Sequence, residues 1–304
     1  MRPVTGPLTT HAAWVEVPAP LTTSVVSSNV SADSNDGLLG RPIEYPTIYT
    51  PSLLRPMDRA QQRETFGLGG DLPFSGEDVW TGFELSWLNG KGKPEVSGIR
   101  IRVPCTSVCI VESKSLKLYL NSYAQTRFAS MPEVLTTLNS DLAVAFRAPV
   151  SVELLGLVQL RGPGDQLPGV CLDDLDIGTD EYERNPDLLQ LDEGADRAVN
   201  ETVHSHLFRS VCPVTGQPDW ASMMLRYVGR PINREALLQY LVSFRCHSAF
   251  HETTVEQIFV DLMARCRPDQ LSVCGYFLRR GGVEITPFRS NFEAAALPIR
   301  LPRS

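Results

Sequence analysis

Ser205-His206-Leu207-Phe208-Arg209-Ser210-Val211-Cys212-Pro213-Val214-Thr215-Gly216-Gln217-Pro218-Asp219-Trp220 joins two apolar-rich runs through a short loop. Pro213, Gly216 and Pro218 are turn formers, so the flanking runs read as adjacent antiparallel strands. Such a hairpin makes Cys212 and Asp219 face each other across its neck. A thiol beside a carboxyl group at a loop mouth suits a covalent nucleophile with its own proton shuttle. The soft sulfur attacks an electrophilic carbon while the acid handles protons. A small core cysteine beside a turn aspartate accounts for the same residues.

Outward from the hairpin, residues 203–211 and 220–228 read as strands. They are followed by a helix over 234–244, a helix over 253–266 and strands over 271–278 and 283–287. Thr253 and Glu256 have the spacing of a capping box for the second helix. The first half of the chain repeats this order. Val79, Thr81, Phe83, Leu85 and Trp87 alternate as in a strand, Asn89-Gly90 is a turn, and Ile99, Ile101 and Val103 mark the return strand. A helix then starts at Ser113 as its cap, a second lies within 131–146, and 150–158 returns to strand. The echo reaches individual residues: Tyr119-Leu120-Asn121-Ser122-Tyr123 matches Tyr240-Leu241-Val242-Ser243-Phe244, and Val134 and Leu138 fall where Val255 and Phe259 do. Two copies of one ββαα-strand unit are expected, an α+β fold with antiparallel sheets and paired helices on one face. The organisation is then a flexible extension over 1–38, a first module over 39–160, an acidic Gly/Pro-rich connector over 161–200 and a second module over 201–304. The lead-in before residue 75 is expected to hold little regular structure, and the middle of the connector could add a strand.

With 304 residues and 42% hydrophobic content, the chain can bury a core of two-domain size. No run reaches the roughly 20 apolar residues of a spanning helix. The N-terminus lacks a signal-peptide pattern, so no membrane association and a cytoplasmic location are expected. Seven scattered cysteines fit reduced thiols better than a disulfide framework. A net charge of −7 argues against a dedicated nucleic-acid surface.

Local clusters could still hold a small anion. In Glu112-Ser113-Lys114-Ser115-Leu116-Lys117 two ammonium groups stand at a helix N-terminus, where N–H groups and the dipole favour phosphate; a solvated lysine face and a loop carboxylate explain them as well. Phe250-His251-Glu252 sits at another helix mouth. There a carboxylate can accept the two N–H bonds of an amino-pyrimidinone edge beside a stacking ring, although a surface His-Glu pair is the plainer account. Arg279-Arg280-Gly281-Gly282 can fork onto phosphate or simply make a charged turn. Cys105 with Cys109, His204 with His206, and Cys246 with His247 could be combined into a zinc site, but none has a strong ligand spacing. No metal is expected.

Taken together, these stretches over about 39–291 resemble the long, two-module 7-cyano-7-deazaguanine reductases, NADPH-dependent nitrile reductases of queuosine biosynthesis. The resemblance implies tandem tunnelling-fold modules, a homodimer, NADPH as cofactor and a 7-deazaguanine nitrile as substrate. It implies that Cys212 attacks the nitrile carbon to give a thioimide and that Asp219 is the proton donor. Val111, Glu112, Ser113, Phe250, His251 and Glu252 would bind the base; Ser113, Lys114, Arg280 and Gly281 would contact NADPH. A free thiol is only a few per cent ionised at neutral pH, and an ionised Asp219 beside it would lower that fraction. Asp219 is therefore expected to take the thiol proton during attack and return it to the nitrile nitrogen. The extension and the segment over 161–169 depart from the family. The fold's zinc-dependent relatives, such as GTP cyclohydrolase I, make a pterin or purine cyclohydrolase the alternative.

Overall fold

The computed structural model describes residues 45–156, 158–160, 166–194, 197–297 and 299–302. The expected extension over 1–38 lies outside them. Ten strands and five α-helices are found among the described residues: β1 (Pro56–Asp58), α1 (Arg59–Glu64), β2 (Ser75–Leu88), β3 (Pro94–Pro104), β4 (Cys109–Val111), α2 (Ser113–Asn121), α3 (Met131–Phe146), β5 (Ser151–Leu155), β6 (Val170–Cys171), β7 (Val199–Val211), β8 (Pro218–Gly229), α4 (Arg234–Ser243), α5 (His251–Arg265), β9 (Gln270–Phe277) and β10 (Val283–Ser290). The class is mixed α and β, rich in antiparallel sheet.

Eight strands form one sheet in the order β5-β3-β2-β10-β9-β8-β7-β6. Every neighbour pair is antiparallel except β6 with β7. β2 and β10 join the strands of the two halves, with Gly76 opposite Arg289. Only glycine fits there: its φ is +147°, and a Cβ would stand 2.0 Å from the Phe288 carbonyl oxygen. One core lies between α2, α3 and β2, β3, around Trp80, Ile101, Tyr119 and Leu138. A second lies between α4, α5 and β7 to β9, around Phe208, Leu225, Phe244 and Phe259. Met224, Cys274, Tyr276 and Phe288 form a smaller cluster of their own. All seven cysteines are free thiols, and no helix among the described residues is long and apolar enough to cross a membrane.

Three local expectations need correction. The lead-in before residue 75 holds β1 and α1, because Asp58 caps α1 and the helix delivers two buried guanidinium groups to distant acids. Arg59 pairs with Asp78 at 2.5 Å, Arg63 with Glu256 at 2.7 Å, and fully buried Arg289 with both Asp78 at 2.8 Å and Glu256 at 2.9 Å. Ser113 does not cap α2. Glu112 does, accepting the N–H groups of Lys114 and Ser115 at 2.8 Å each. Nor do Thr253 and Glu256 form a capping box: α5 starts at His251 behind Phe250 with no side-chain cap, and Glu256 is held by the buried arginines instead. In the connector, β6 does add an edge strand.

Candidate functional site

The β7–β8 hairpin closes as its turn formers require. The Cys212 N–H donates to the Gln217 carbonyl and the Gly216 N–H to that of Cys212, both at 2.9 Å, with Gly216 at φ +68°. Asp219 pairs in register with Ser210, two residues before Cys212, so both reactive side chains stand at the hairpin mouth and line one cleft. Val111, Glu112, Ser113, Phe250, His251, Glu252 and Arg280 line the same cleft. Of the nominated residues, Gly281 sits against Lys117 just beside Arg280, and Lys114 points out to solvent. A larger cavity of about 100 Å³ around Thr81, Arg100, Glu284 and Arg300 contains none of the nominated residues. Chemistry, not volume, selects the smaller cleft of about 20 Å³.

Cys212 is 8% exposed. Burial pushes its thiol up, but hydrogen bonds from the Thr215 hydroxyl, the Thr215 and Val214 N–H groups and the Arg280 side chain outweigh burial and leave it below the ordinary value. The net direction is opposite to the suppressed ionisation expected beside Asp219, because those donors outweigh burial. Asp219 Oδ2 lies 3.2 Å from His251 Nε2 and its Oδ1 2.8 Å from Arg280. The Arg280 contact is an ion pair without hydrogen-bond alignment, and Oδ1 has no hydrogen-bond donor among the described residues. His251 stacks on Phe277 with centroids 3.9 Å apart, which fixes the ring against the acid.

Glu252, 3% exposed, is pushed up to about 7 by burial and then by the charge of Asp78, with Arg59 and Arg289 opposing. One turn later, Glu256 is equally buried, but Arg289, Arg63 and Arg59 overcome that burial and hold it below the usual range. Glu112 keeps both carboxylate oxygens on the α2 start, with lone pairs left for a further donor.

Sequence reasoning missed the Asp219–His251 and Asp219–Arg280 pairs and Thr215, and it named Lys117 only as part of the ammonium cluster at the α2 start. Lys117 is pushed down by burial and by Arg280, while Glu112, Asp219 and Cys212 pull it up, so it senses the whole site. Its place three residues after Lys114 was the available signal. Trp80, also in the cleft wall, has a buried Nε1–H with no partner among the described residues.

A thiol shifted toward thiolate, beside a carboxylate that touches an imidazole and a guanidinium, is equipped for covalent attack and proton transfer on a bound electrophile. Residues 45–154 match the family model "Nitrile reductase, 7-cyano-7-deazaguanine-reductase N-term", and residues 218–296 match "QueF-like protein". Three curated relatives carry the name NADPH-dependent 7-cyano-7-deazaguanine reductase. That of Chromohalobacter salexigens is 50% identical over 87% of this chain and 95% of its own. The Hydrogenovibrio crunogenus protein is 46% identical over 90% and 98%, and the Hahella chejuensis protein 48% identical over 87% and 97%. The chain belongs to the 7-cyano-7-deazaguanine reductase family.

Proposed function

We propose that the protein reduces the nitrile of 7-cyano-7-deazaguanine to the primary amine with NADPH, in queuosine biosynthesis in the cytoplasm. The observation that carries this reading is the Cys212 thiol, shifted toward thiolate in a cleft that also holds the Asp219–His251 pair and buried Glu252. Cys212 sulfur adds to the nitrile carbon, and the thiol proton passes through Asp219 to the nitrile nitrogen, giving a thioimide. NADPH, when bound, would supply one hydride in each of two rounds, and a proton taken up from solvent in each round completes the amine and restores the thiol. Between the rounds the C–S bond breaks and returns thiolate to Cys212, whose hydrogen bonds from Thr215 and Val214 suit it as a leaving group. His251 and Arg280 hold the charge of Asp219 as its proton comes and goes.

Glu252 and Glu112 accept N–H groups of the base, with Val111, Ser113, Phe250 and His251 around it. A cleft of about 20 Å³ has room for about one water molecule, so the base enters by displacing side chains that line it. The residues suit the cofactor. Gly281 has φ +57°, and a Cβ there would approach Lys117 to 3.2 Å, so bare backbone and the cations Lys114, Lys117 and Arg280 offer a phosphate seat beside Ser113. The repeated halves are read as two tunnelling-fold modules, 39–160 and 201–304, around the connector over 161–200, and the active form as a homodimer.

Mixing the protein with the cyano substrate and following NADPH oxidation tests the function. Two NADPH consumed per amine formed is the expected result. Absence of oxidation from folded protein that binds the base would overturn it.

A further inference from the structure

At the far edge of the sheet the connector meets β7. Val170 pairs with Val203 and Cys171 with His204, the one parallel pair of neighbouring strands in the sheet among the described residues. His206 follows at the two-residue spacing that returns a strand side chain to the same face. The Cys171 sulfur and one ring nitrogen from each histidine all lie within 4.8 Å of one another. The two rings stand 5.2 Å apart, centroid to centroid, at 64°. None of these groups lines the Cys212 cleft, and the six residue steps from His206 to Cys212 along β7 put the two sites about 20 Å apart.

Each imidazole has a hydrogen-bond partner on its Nδ1. His204 Nδ1 lies 3.1 Å from the Pro168 carbonyl oxygen, which can only accept, so Nδ1 carries the proton and Nε2 the lone pair. His206 Nδ1 is 2.7 Å from the Ser222 hydroxyl. Such a partner on the second nitrogen is the usual support of a ligating histidine. Behind them the Asp173 carboxylate accepts the Ser205 hydroxyl at 2.7 Å and the His206 N–H at 3.1 Å, pinning the connector to β7 two residues beyond Cys171.

We propose that Cys171, His204 and His206 form a binding site for a zinc-class divalent cation that fastens the connector to the sheet edge. One thiolate with two imidazoles is the donor set of a borderline-soft metal, with water in the fourth tetrahedral position. Zinc bond lengths require donor atoms about 3.5 Å apart. The present spread of up to 4.8 Å closes by rotation of Cys171, an exposed residue at the sheet edge. On binding, the S–H bond breaks, its proton goes to solvent and an S–metal bond forms, with no change of oxidation state. Of the ligand pairs nominated from sequence, His204 with His206 is retained. Its thiol partner is Cys171, which sequence spacing could not select because the contact is made by strand pairing. The proposal is independent of the reductase reading, since the metal lies away from Cys212.

Full-length chain stripped with chelator and titrated with Co²⁺ and then Zn²⁺ tests it. One equivalent per chain is expected, with visible d–d bands and a thiolate-to-cobalt charge-transfer band that Zn²⁺ displaces. Cys171→Ser should abolish the charge-transfer band and weaken Zn²⁺ binding by about tenfold to a hundredfold, while NADPH oxidation stays at the wild-type rate. His206→Ala should weaken binding similarly. Zn²⁺ should raise the melting temperature of wild type and not of Cys171→Ser. No cobalt bands in the wild type, or bands and affinity unchanged in both variants, would overturn the proposal.

Discussion

In the first half of the chain the Leu88 N–H donates to the Thr126 carbonyl, and its own carbonyl accepts from Phe128; in the second half Val211 does the same with His247 and Ala249. Both hairpins slip register, between Gly82 and Leu85 and between Ser205 and Phe208. The residue after the shared bridge is Asn89 in one half and Cys212 in the other. Asn89 Oδ1 accepts the N–H groups of Lys91 and Lys93 at 3.0 and 3.1 Å, and the Cys212 sulfur takes those of Val214 and Thr215. A loop that closes on a carboxamide in one copy therefore closes on a thiol in the other. The helix starts diverge in the same sense. α3 has Ser130 on the Glu133 N–H and Glu133 reaching back to the Ala129 N–H, whereas α5 has no side-chain cap and puts His251 and Glu252 in its first turn. The reactive half uses the positions that the other half spends on local hydrogen bonding.

Exchanging the one difference at the loop breaks this comparison most sharply. Cys212→Asn installs the group that already closes the sister loop, so the hairpin should survive with a stability change under about 1 kcal/mol. NADPH oxidation should fall by about six powers of ten, the scale of losing a covalent nucleophile. Paired thermal melts and single-turnover assays measure both. An unfolded variant would show that the two loops are not equivalent, and a still active one that Cys212 is not the nucleophile.

Next in size is the link between the halves. Arg289 on β10 bonds Asp78 on β2 and Glu256 on α5, with all three buried. Arg289→Met leaves two carboxylates short of a partner and should cost about 3–5 kcal/mol in urea unfolding. Glu153→Gln removes the exposed Arg100–Glu153 pair within the first half and should cost less than about 1 kcal/mol. Equal losses would mean that the buried network does not join the halves.

Periodicity made the repeated elements legible. Val134, Leu138, Val255 and Phe259 fall at matching places, and all four are fully buried. Long-range electrostatics was not legible. Arg63 reads as loop punctuation because Glu256 lies 193 residues away. That same pull removes Glu256 from Thr253 and leaves α5 uncapped, which no local rule anticipates. Residue type and spacing nominate Cys212 and Asp219, and the family resemblance supplies the roles expected of them. The direction of the thiol shift depends on where the Val214 and Thr215 N–H groups point and on Arg280, which only the fold brings to the loop.

The matched tyrosines give a finer measure of equivalence. Tyr119 donates to Asp141 at 2.7 Å and Tyr240 to Asp261 at 2.5 Å, each joining the two helices of its half. Both acids keep another partner, Tyr49 and Arg184 respectively. Tyr119→Phe and Tyr240→Phe should each lower stability by about 2 kcal/mol, the range for a hydrogen bond to a charged group. A twofold disparity in urea midpoints would show that the halves share geometry without sharing energetics.

The smallest effect separates two acids one turn apart on α5. Glu252 is pushed up to about 7 while Glu256 is held down, since Arg63 and Arg289 hydrogen-bond to Glu256 and act on Glu252 at most through the weaker charge of Arg289. Between its unperturbed value of 4.5 and about 7, the folded chain keeps a proton on Glu252 that the unfolded chain has lost. Stability therefore falls as pH rises across that window and levels off above it. Base recognition needs the opposite state, because only the carboxylate accepts both N–H groups. The ionised fraction climbs from roughly a tenth at pH 6 to roughly nine tenths at pH 8, so affinity for the 7-deazaguanine base should rise about tenfold over that range. Calorimetric titration measures it. Glu252→Gln should bind weakly with no pH dependence and should lose the stability slope, and a variant that kept the tenfold rise would move the titrating group away from Glu252.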